Sequence, residues 1–362
     1  RNVVYGTDLR PCRVYKRKIS GLLWEYRYIQ RMQLRNVLAI LSTNDACAWY
    51  RIQSPFNELK AHGHDCAYTS WDRFQPNDLD RFDVVVTPRL KPGDEAMIQA
   101  LAGHCVIYEV DDDFTHTTQV TPLMEELWRV CKAITVTTPA LATVMRAYNA
   151  HVHVLPNCLD FSIWDRPIKR RDPRLTIGLT GGSNHYKDWQ VVVPALKRIC
   201  AEQPGVAVAF AGFYPDYLAE AVPKTQTILF PWAPYRQLPE IIGSFDIGLA
   251  PLEDTPFNCS KSPIKLLEYM ARNIPWVASA VGPYRAMPAG AAGFLAASED
   301  EFYLHLKSLV TNAEQRRALG EYGRQWVRTQ HDISANAGLW WQVYEEVWRT
   351  NGRRAGVVNS KQ

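Results

Sequence analysis

The sequence has no apolar run long enough to cross a bilayer. Val191 to Val193 and Phe245 to Pro251 are short and soon interrupted, well under the roughly 20 residues a spanning helix needs. It has no CxxC pair either. The eight cysteines, at 12, 47, 66, 105, 131, 158, 200 and 259, are scattered singly, several inside apolar runs such as Cys105-Val106-Ile107-Tyr108. This argues against a disulfide framework and reads as buried thiols in a reducing cytoplasm. No metal-ligand set is visible: His62/His64 and His151/His153 have no cysteine or carboxylate group at ligand spacing beside them, so they are read as surface or strand histidines and no metal is assigned. No charged-then-apolar-then-small pattern follows Arg1, which reads as a trimmed chain or a piece of a longer one without a visible signal peptide.

Charge excess is small as well. Lys and Arg number 41 against 37 Asp and Glu, a net +4, too mild to announce nucleic-acid binding. The excess is concentrated at the start, where Arg10, Arg13, Lys16, Arg17, Lys18, Arg27, Arg31 and Arg35 face only Asp8 and Glu25. Leu22, Leu23, Trp24, Tyr26, Tyr28, Ile29 and Met32 are interleaved with them. Residues 1–35 are therefore set apart as a basic aromatic extension, read as a solvated linker or docking helix, with peripheral contact to an anionic membrane or an acidic acceptor as the alternative. The composition that remains, 47% hydrophobic and 22% charged over 362 residues, is that of a folded chain with room for two domains.

From Asn36 onward, short runs rich in β-branched residues alternate with longer helical stretches, the pattern of a parallel sheet wound with helices. Strands are predicted at 37–41, 65–69, 83–87, 105–110, 133–137 and 152–155, with helices at 51–62, 94–102, 121–131 and 139–148. The run from Asp160 to Arg174 looks like an exposed connector. A second series follows, with strands at 175–180, 206–211, 227–230, 245–250, 276–279 and 293–296, and helices at 189–201, 238–243, 262–271, 299–310 and 313–329. The stretch 333–348 carries Trp340, Tyr344 and Trp348 on a helical period and is expected to pack on the body. The fold class is thus α/β, two Rossmann-like doubly wound domains facing across a cleft. The expected boundaries are 36–165 for the first domain, 174–330 for the second and 331–350 for the returning helix. Ligands in such sheets lie beyond the carboxyl ends of the strands, so chemistry is sought in those loops.

The most informative loop runs Phe257-Asn258-Cys259-Ser260-Lys261-Ser262-Pro263-Ile264-Lys265-Leu266-Leu267-Glu268-Tyr269, between a strand ending at Ala250 and another opening at Trp276. A helix opening at Ser262, with Pro263 as its first residue, offers unpaired N–H groups and a positive dipole end to a diphosphate. Lys261 and Lys265, one turn apart, add two cations, and Glu268 follows on the same side to accept hydrogen bonds from a ribose diol. A second patch, Thr180-Gly181-Gly182-Ser183-Asn184-His185-Tyr186-Lys187, is a strand running into a Gly pair and then a helix, where backbone can approach a phosphate. In the first half, Arg51 is read either as a partner for a phosphate or acidic acceptor or as half of a structural salt bridge. Glu109-Val110-Asp111-Asp112-Asp113 contains a D-x-D pattern that in isolation suggests a divalent ion. A metal-free role is preferred, with the carboxylates orienting an acceptor hydroxyl or capping the next helix.

Over roughly Asn36 to Thr329 these motifs resemble the family 4 glycosyltransferases of the GT-B fold, whose donor site has the pattern E-x7-E before a G-x-P-V-V-A-S strand. Glu268 falls on the second glutamate, which the resemblance assigns to the nucleotide ribose, and Ser260 stands where the first would be. A branch of the group reads F-N-x-x-K-S-x-x-K-x-x-E-Y, matched here from Phe257 through Tyr269. Lys187 looks like the family's phosphate-binding lysine, with Gly182 in place of the arginine that often precedes it. Asn157 matches the asparagine that ends the first domain. The resemblance implies sugar transfer from a nucleotide-diphosphate donor, a UDP-sugar before a GDP-sugar, to a hydroxyl acceptor, with retention of configuration and no permanently bound cofactor. Lys187, Lys265 and Asp111 are the expected catalytic residues; Gly181, Gly182, Asn258, Ser260, Lys261, Ser262 and Glu268 the expected donor-binding ones. Glycan, lipid-linked sugar, protein and modified DNA all stay open as acceptors. The rival readings are an inactive nucleotide-sugar-binding protein, suggested by Ser260, and a sugar-nucleotide epimerase, since one fold hosts several reactions. The expected location is cytoplasmic, or peripheral at a membrane through the basic start.

Overall fold

A computed structural model describes residues 33–41, 45–88, 101, 103–117, 120–168, 170 and 172–351. The basic extension up to residue 32 lies outside them, as does the helix expected over 94–102, Leu101 apart. Twelve strands are described: β1 (Asn36–Leu41), β2 (Asp65–Ser70), β3 (Val84–Pro88), β4 (Val106–Val110), β5 (Ala133–Val136), β6 (Val152–Val154), β7 (Thr176–Thr180), β8 (Ala207–Ala211), β9 (Thr227–Phe230), β10 (Ile247–Ala250), β11 (Trp276–Ser279) and β12 (Gly293–Ala296). They form two six-stranded sheets, ordered β2-β1-β3-β4-β5-β6 and β12-β11-β10-β7-β8-β9. Every pairing is parallel.

The alternation along β1 shows why the strands are so apolar. Val37, Ala39 and Leu41 enter one core layer while Leu38 and Ile40 enter the layer on the opposite face, so both faces are covered, as parallel sheets require. In each sheet the strand order reverses once, between β1 and β3 and between β7 and β10. At such a point the loops diverge to opposite faces and leave a crevice beyond the strand ends.

Helices begin where short polar side chains cap them. Thr121 Oγ1 accepts from Met124 N–H ahead of α1 (Pro122–Val130), and Thr138 Oγ1 accepts from Leu141 N–H ahead of α2 (Pro139–Met145). The helix expected over 189–201 is two, α3 (Tyr186–Gln190) and α4 (Val193–Glu202), because Pro194 lacks an N–H and starts a new helix more readily than it continues one. The helix expected from Ser262 begins two residues later, as α5 (Ile264–Ala271). Ser262 caps nothing there; its Oγ accepts from Asn157 Nδ2 at 2.8 Å. Ahead of it, the expected polar loop contains a helical turn, Pro256–Cys259, capped by Thr255.

The connector is exposed over 165–168 and at 170 and 173, as expected, but its first turn is not. Asp160 caps a helical turn, Phe161–Trp164, and Phe161, Ile163 and Trp164 are buried. Trp164 Nε1 donates to Tyr235 Oη at 2.7 Å and its carbonyl accepts from Arg272, so three apolar side chains fix a segment whose charges alone predicted a tether. After α6 (Glu299–Thr311) and α7 (Ala313–His331), the chain returns to the first half. Leu159 N–H donates to His331 O and Ile333 N–H to Leu159 O. In α8 (Gly338–Asn351), Trp340, Tyr344 and Val347 then join the core layer of Val37, Ile52 and Phe56. No helix of the described residues is long and apolar enough to cross a membrane.

Two glycines decide how closely α5 is held. A Cβ on Gly248 of β10 would stand 2.3 Å from the Tyr269 ring, so its absence lets that ring lie against the strand while Tyr269 Oη donates to Leu249 O at 3.1 Å. On the other side, a Cβ on Gly320 of α7 would stand 2.0 Å from Asn273 O, the carbonyl of a residue at φ 57°. Backbone cannot yield as a side-chain tip can. Gly320→Ala is therefore expected to lower stability by about 1–3 kcal/mol, against the gain of about 1 kcal/mol that helix propensity alone forecasts. Urea unfolding checks the sign.

Candidate active site

A cavity of ≈ 290 Å³ opens between the two sheets, at the carboxyl ends of β1, β4, β7 and β10. Asp45, Cys47, Tyr50, Arg51, Asp111 and Asp112 line it from the first half. Gly181, Gly182, His185, Lys261, Ser262, Lys265 and Glu268 line it from the second. Of the ten residues singled out in the sequence, seven are therefore brought together: Lys265, Asp111, Gly181, Gly182, Lys261, Ser262 and Glu268.

Three are not. Lys187 is exposed on α3 and lies outside the lining; the side chain that turns inward from this segment is His185, buried at 6% exposure. The helix phase explains the exchange, since residues two apart face opposite ways. Asn258 and Ser260 sit behind the cavity wall. Asn258 Nδ2 donates to Asp188 Oδ1 at 2.7 Å and to Glu253 O at 2.9 Å. Ser260 Oγ donates to Phe257 O at 3.0 Å, and its own carbonyl accepts from Thr138 Oγ1 at 2.8 Å. Their side chains hold the loop's shape.

The carboxylate of Glu268 is buried and accepts from Tyr50 Oη at 2.5 Å. Tyr50 belongs to a π-helical turn, Trp49–Gln53, closed by a bond from Ser54 N–H to Trp49 O. The extra residue in such a turn re-aims the side chains around it. Beside it, Trp49 stacks on Tyr235 with centroids 5.0 Å apart. Burial pushes the Glu268 carboxyl up to about 7, against the pull of Tyr50 and Lys265. Burial also pulls Lys265 down to about 8, and Lys261 adds to this by like-charge repulsion. Lys261 Nζ lies 4.6 Å from the centre of the Phe257 ring, within reach of a cation–π attraction.

Arg51 is a buried structural cation, the second of its two sequence readings. Its Nε donates to Glu109 Oε1 at 2.7 Å, and its Nη1 donates to Leu155 O at 2.6 Å and to Asn157 Oδ1 at 2.9 Å. Glu109 also accepts from Thr135 Oγ1 at 2.5 Å. Its pKa is nevertheless raised, because burial outweighs Arg51. Asp113 is a cap, accepting from Thr115 N–H at 3.1 Å, while Asp111 and Asp112 face the cavity. Among the described residues no group of three or more His, Cys, Asp or Glu is placed to hold a metal ion.

Sequence reasoning missed Tyr50, His185 and Asp188. The last two carried a signal: His and Asp three apart in a helical segment share a face. Tyr50 carried none, since its partner lies 218 residues away.

Removing one member of a buried ion pair strands the other. Glu109→Leu is expected to cost about 3–5 kcal/mol, and Arg51→Met in the same chain to restore part of that loss. Chemical denaturation of the two single variants and the double variant checks the non-additivity.

Residues 174–312 match the family model described as Glycosyl transferases group 1. No curated protein sequence matches the chain. Among solved structures, HepE from Anabaena in complex with UDP-glucose superposes with a TM-score of 0.64 at 11% identity, over 86% of this chain and 99% of that one. Sucrose-phosphate synthase from Thermosynechococcus elongatus gives 0.64 at 12%, over 88% and 100%. A putative UDP-N-acetylglucosamine 2-epimerase from Listeria monocytogenes gives 0.58 at 9%, over 90% and 100%. At these identities the likeness is one of architecture. This chain has the GT-B fold, and its second half resembles the glycosyl transferases of group 1.

Proposed function

We propose that this protein is a glycosyltransferase that moves a sugar from a nucleoside diphosphate, a UDP-sugar first, to a hydroxyl acceptor, with retention and without a metal ion. The observation that carries the reading is the convergence of Lys261, Lys265 and Glu268 with the Gly181-Gly182 loop on one cavity at a strand-order reversal. The half from 174 to 330 would hold the donor, and the half from 36 to 165 would present the acceptor. HepE, solved with UDP-glucose, supports the choice of donor.

In this mechanism Glu268 accepts hydrogen bonds from the ribose diol, a role for which a buried carboxylate already accepting from a hydroxyl is suited. Lys261 and Lys265 stabilise the negative charge that grows on the diphosphate as the bond from anomeric carbon to phosphate oxygen breaks. The acceptor oxygen forms its bond to the anomeric carbon on the same face, and its proton passes to the departing phosphate oxygen. Asp111, across the cavity, orients the acceptor hydroxyl. Walls drawn from both halves exclude water that would otherwise take the sugar.

Ser260 favours a second reading, a nucleotide-sugar-binding protein without turnover. Where the motif has a glutamate, this buried serine donates back to Phe257 O, so no acid is present there for the donor sugar's hydroxyls. The two readings part on one measurement, UDP released from UDP-sugars over a panel of hydroxyl acceptors; binding without release favours the second.

Both readings share the donor site. Glu268→Gln and Lys265→Met are each expected to weaken UDP binding by about 10–100-fold in calorimetry with EDTA present, the effect of one hydrogen bond to a charged group. Unchanged affinity in both would remove the site from this cavity.

The pH dependence follows from the two opposed shifts. Glu268 must be ionised to accept from the ribose, so affinity falls as pH drops through about 7. Lys265 must be protonated to hold phosphate, so affinity also falls as pH rises through about 8. UDP titrations are expected to give a bell with its top between these values; a flat profile from pH 6 to 9 would contradict both assignments.

A further inference from the structure

Lys265 is held from behind. Its Nζ lies 2.8 Å from His185 Nε2, and His185 Nδ1 lies 2.6 Å from Asp188 Oδ2. The other oxygen of Asp188 accepts from Asn258 Nδ2 at 2.7 Å and from Glu253 N–H at 2.9 Å. His185 and Asp188 are 6% and 4% exposed, while Lys265 is half-buried at the cavity wall.

The proton positions follow. Burial alone would raise the Asp188 carboxyl, but the donors around it, His185 foremost, bring it below its ordinary value, so Asp188 is ionised and only accepts. His185 Nδ1 must then carry the hydrogen. Burial, with Lys265 beside it, pushes the histidine down to about 3, so the ring is neutral and Nε2 is left as an acceptor for the Lys265 ammonium. The loop is fitted to this ring as well: a Cβ on Gly181 would stand 2.7 Å from His185 Cδ2.

We propose that His185 and Asp188 are positioning residues that fix Lys265 Nζ against the diphosphate, so that a relay through a neutral histidine supplies the ordered cation expected at Lys187. The inference rests on the donor-site reading above. A neutral acceptor suits the task, because it directs the ammonium without cancelling its charge. A carboxylate bonded directly to Lys265 would compete with phosphate for it. Here the carboxylate stands one imidazole ring further back.

The test is calorimetric titration with UDP of the wild type, Lys265→Met, His185→Phe, His185→Gln, Asp188→Asn and the double variant Lys265→Met/His185→Phe. His185→Phe fills the space without an acceptor and is expected to weaken UDP about tenfold. His185→Gln keeps an acceptor oxygen and is expected to recover part of that loss. In the Lys265→Met background His185→Phe should change nothing further, since the group it orients is gone.

Lys265 faces Lys261, which lowers its proton affinity, and Glu268, Asp188 and Asp112, which raise it. Asp188→Asn is therefore expected to move the alkaline limb of UDP binding to lower pH. Recovery by Phe and not by Gln, or a His185→Phe loss that persists undiminished without Lys265, would overturn the relay and leave a packing role. UDP affinity untouched by Lys265→Met and Glu268→Gln would instead overturn the donor site itself.

Discussion

Arg51 ties the two halves of the molecule into one cleft. Its guanidinium reaches Glu109 at the end of β4, Leu155 just past β6, and Asn157 at the start of the crossing. Asn157 continues the chain of bonds to Ser262, two residues before α5. A buried guanidinium is costly unless its donors are matched. Nε and Nη1 find partners here, while Nη2 is buried without one among the described residues, so it is the two matched nitrogens that constrain strand ends, crossing segment and helix start. The same asparagine offers its carbonyl to His331 at 2.9 Å, where the chain turns back toward the first half. Outbound and returning segments thus meet at one residue, and a polar network joins the cleft walls there.

The second constraint is how near α5 lies to its sheet. Residues 265 and 268 reach the cavity because Tyr269 packs into the space left by Gly248 and because Gly320 lets α7 close from the other side. Side chains larger than hydrogen at either position would lift or tilt the helix, and a displacement of about 1 Å is enough to damage a site built for transition-state contacts. The chemistry of the cavity is therefore written partly in glycines that never touch it.

Nearly all the strands were legible in the sequence, because both faces of a parallel sheet are buried and each strand appears as a compact apolar run. The helix start at Pro139 was legible through a proline without an N–H to satisfy, while the helix expected from 121 begins one residue later because Thr121 is its cap. The start of α5 was misread by two residues because Ser262 has a partner in the other half, which local pattern cannot disclose. Phe161, Ile163 and Trp164 were hidden among charges, and a single tryptophan with a buried acceptor decided their fate. In the site, residue types were easier to read than directions. The motif from Phe257 to Tyr269 located the helix and its charges, whereas the choice between His185 and Lys187 depended on the phase of a short turn.

The charges in the cavity are left incompletely balanced within the protein. Lys265 is half-buried beside another lysine and donates to a neutral ring, while Glu268 is buried and answered by a tyrosine hydroxyl. Each pKa moves toward the neutral form, the response expected where desolvation exceeds the local compensation. Direct pairing of the two would have relieved both, and stability alone would have favoured it. A ligand that brings a diphosphate to the lysines and a diol to the glutamate completes both sets at once, and its two ends are joined by about the length of a ribose 5′-phosphate. Under the proposed donor reading, the cost of leaving these groups unmatched is binding energy held ready for a nucleoside diphosphate, and it is carried by the pair and not by either residue alone.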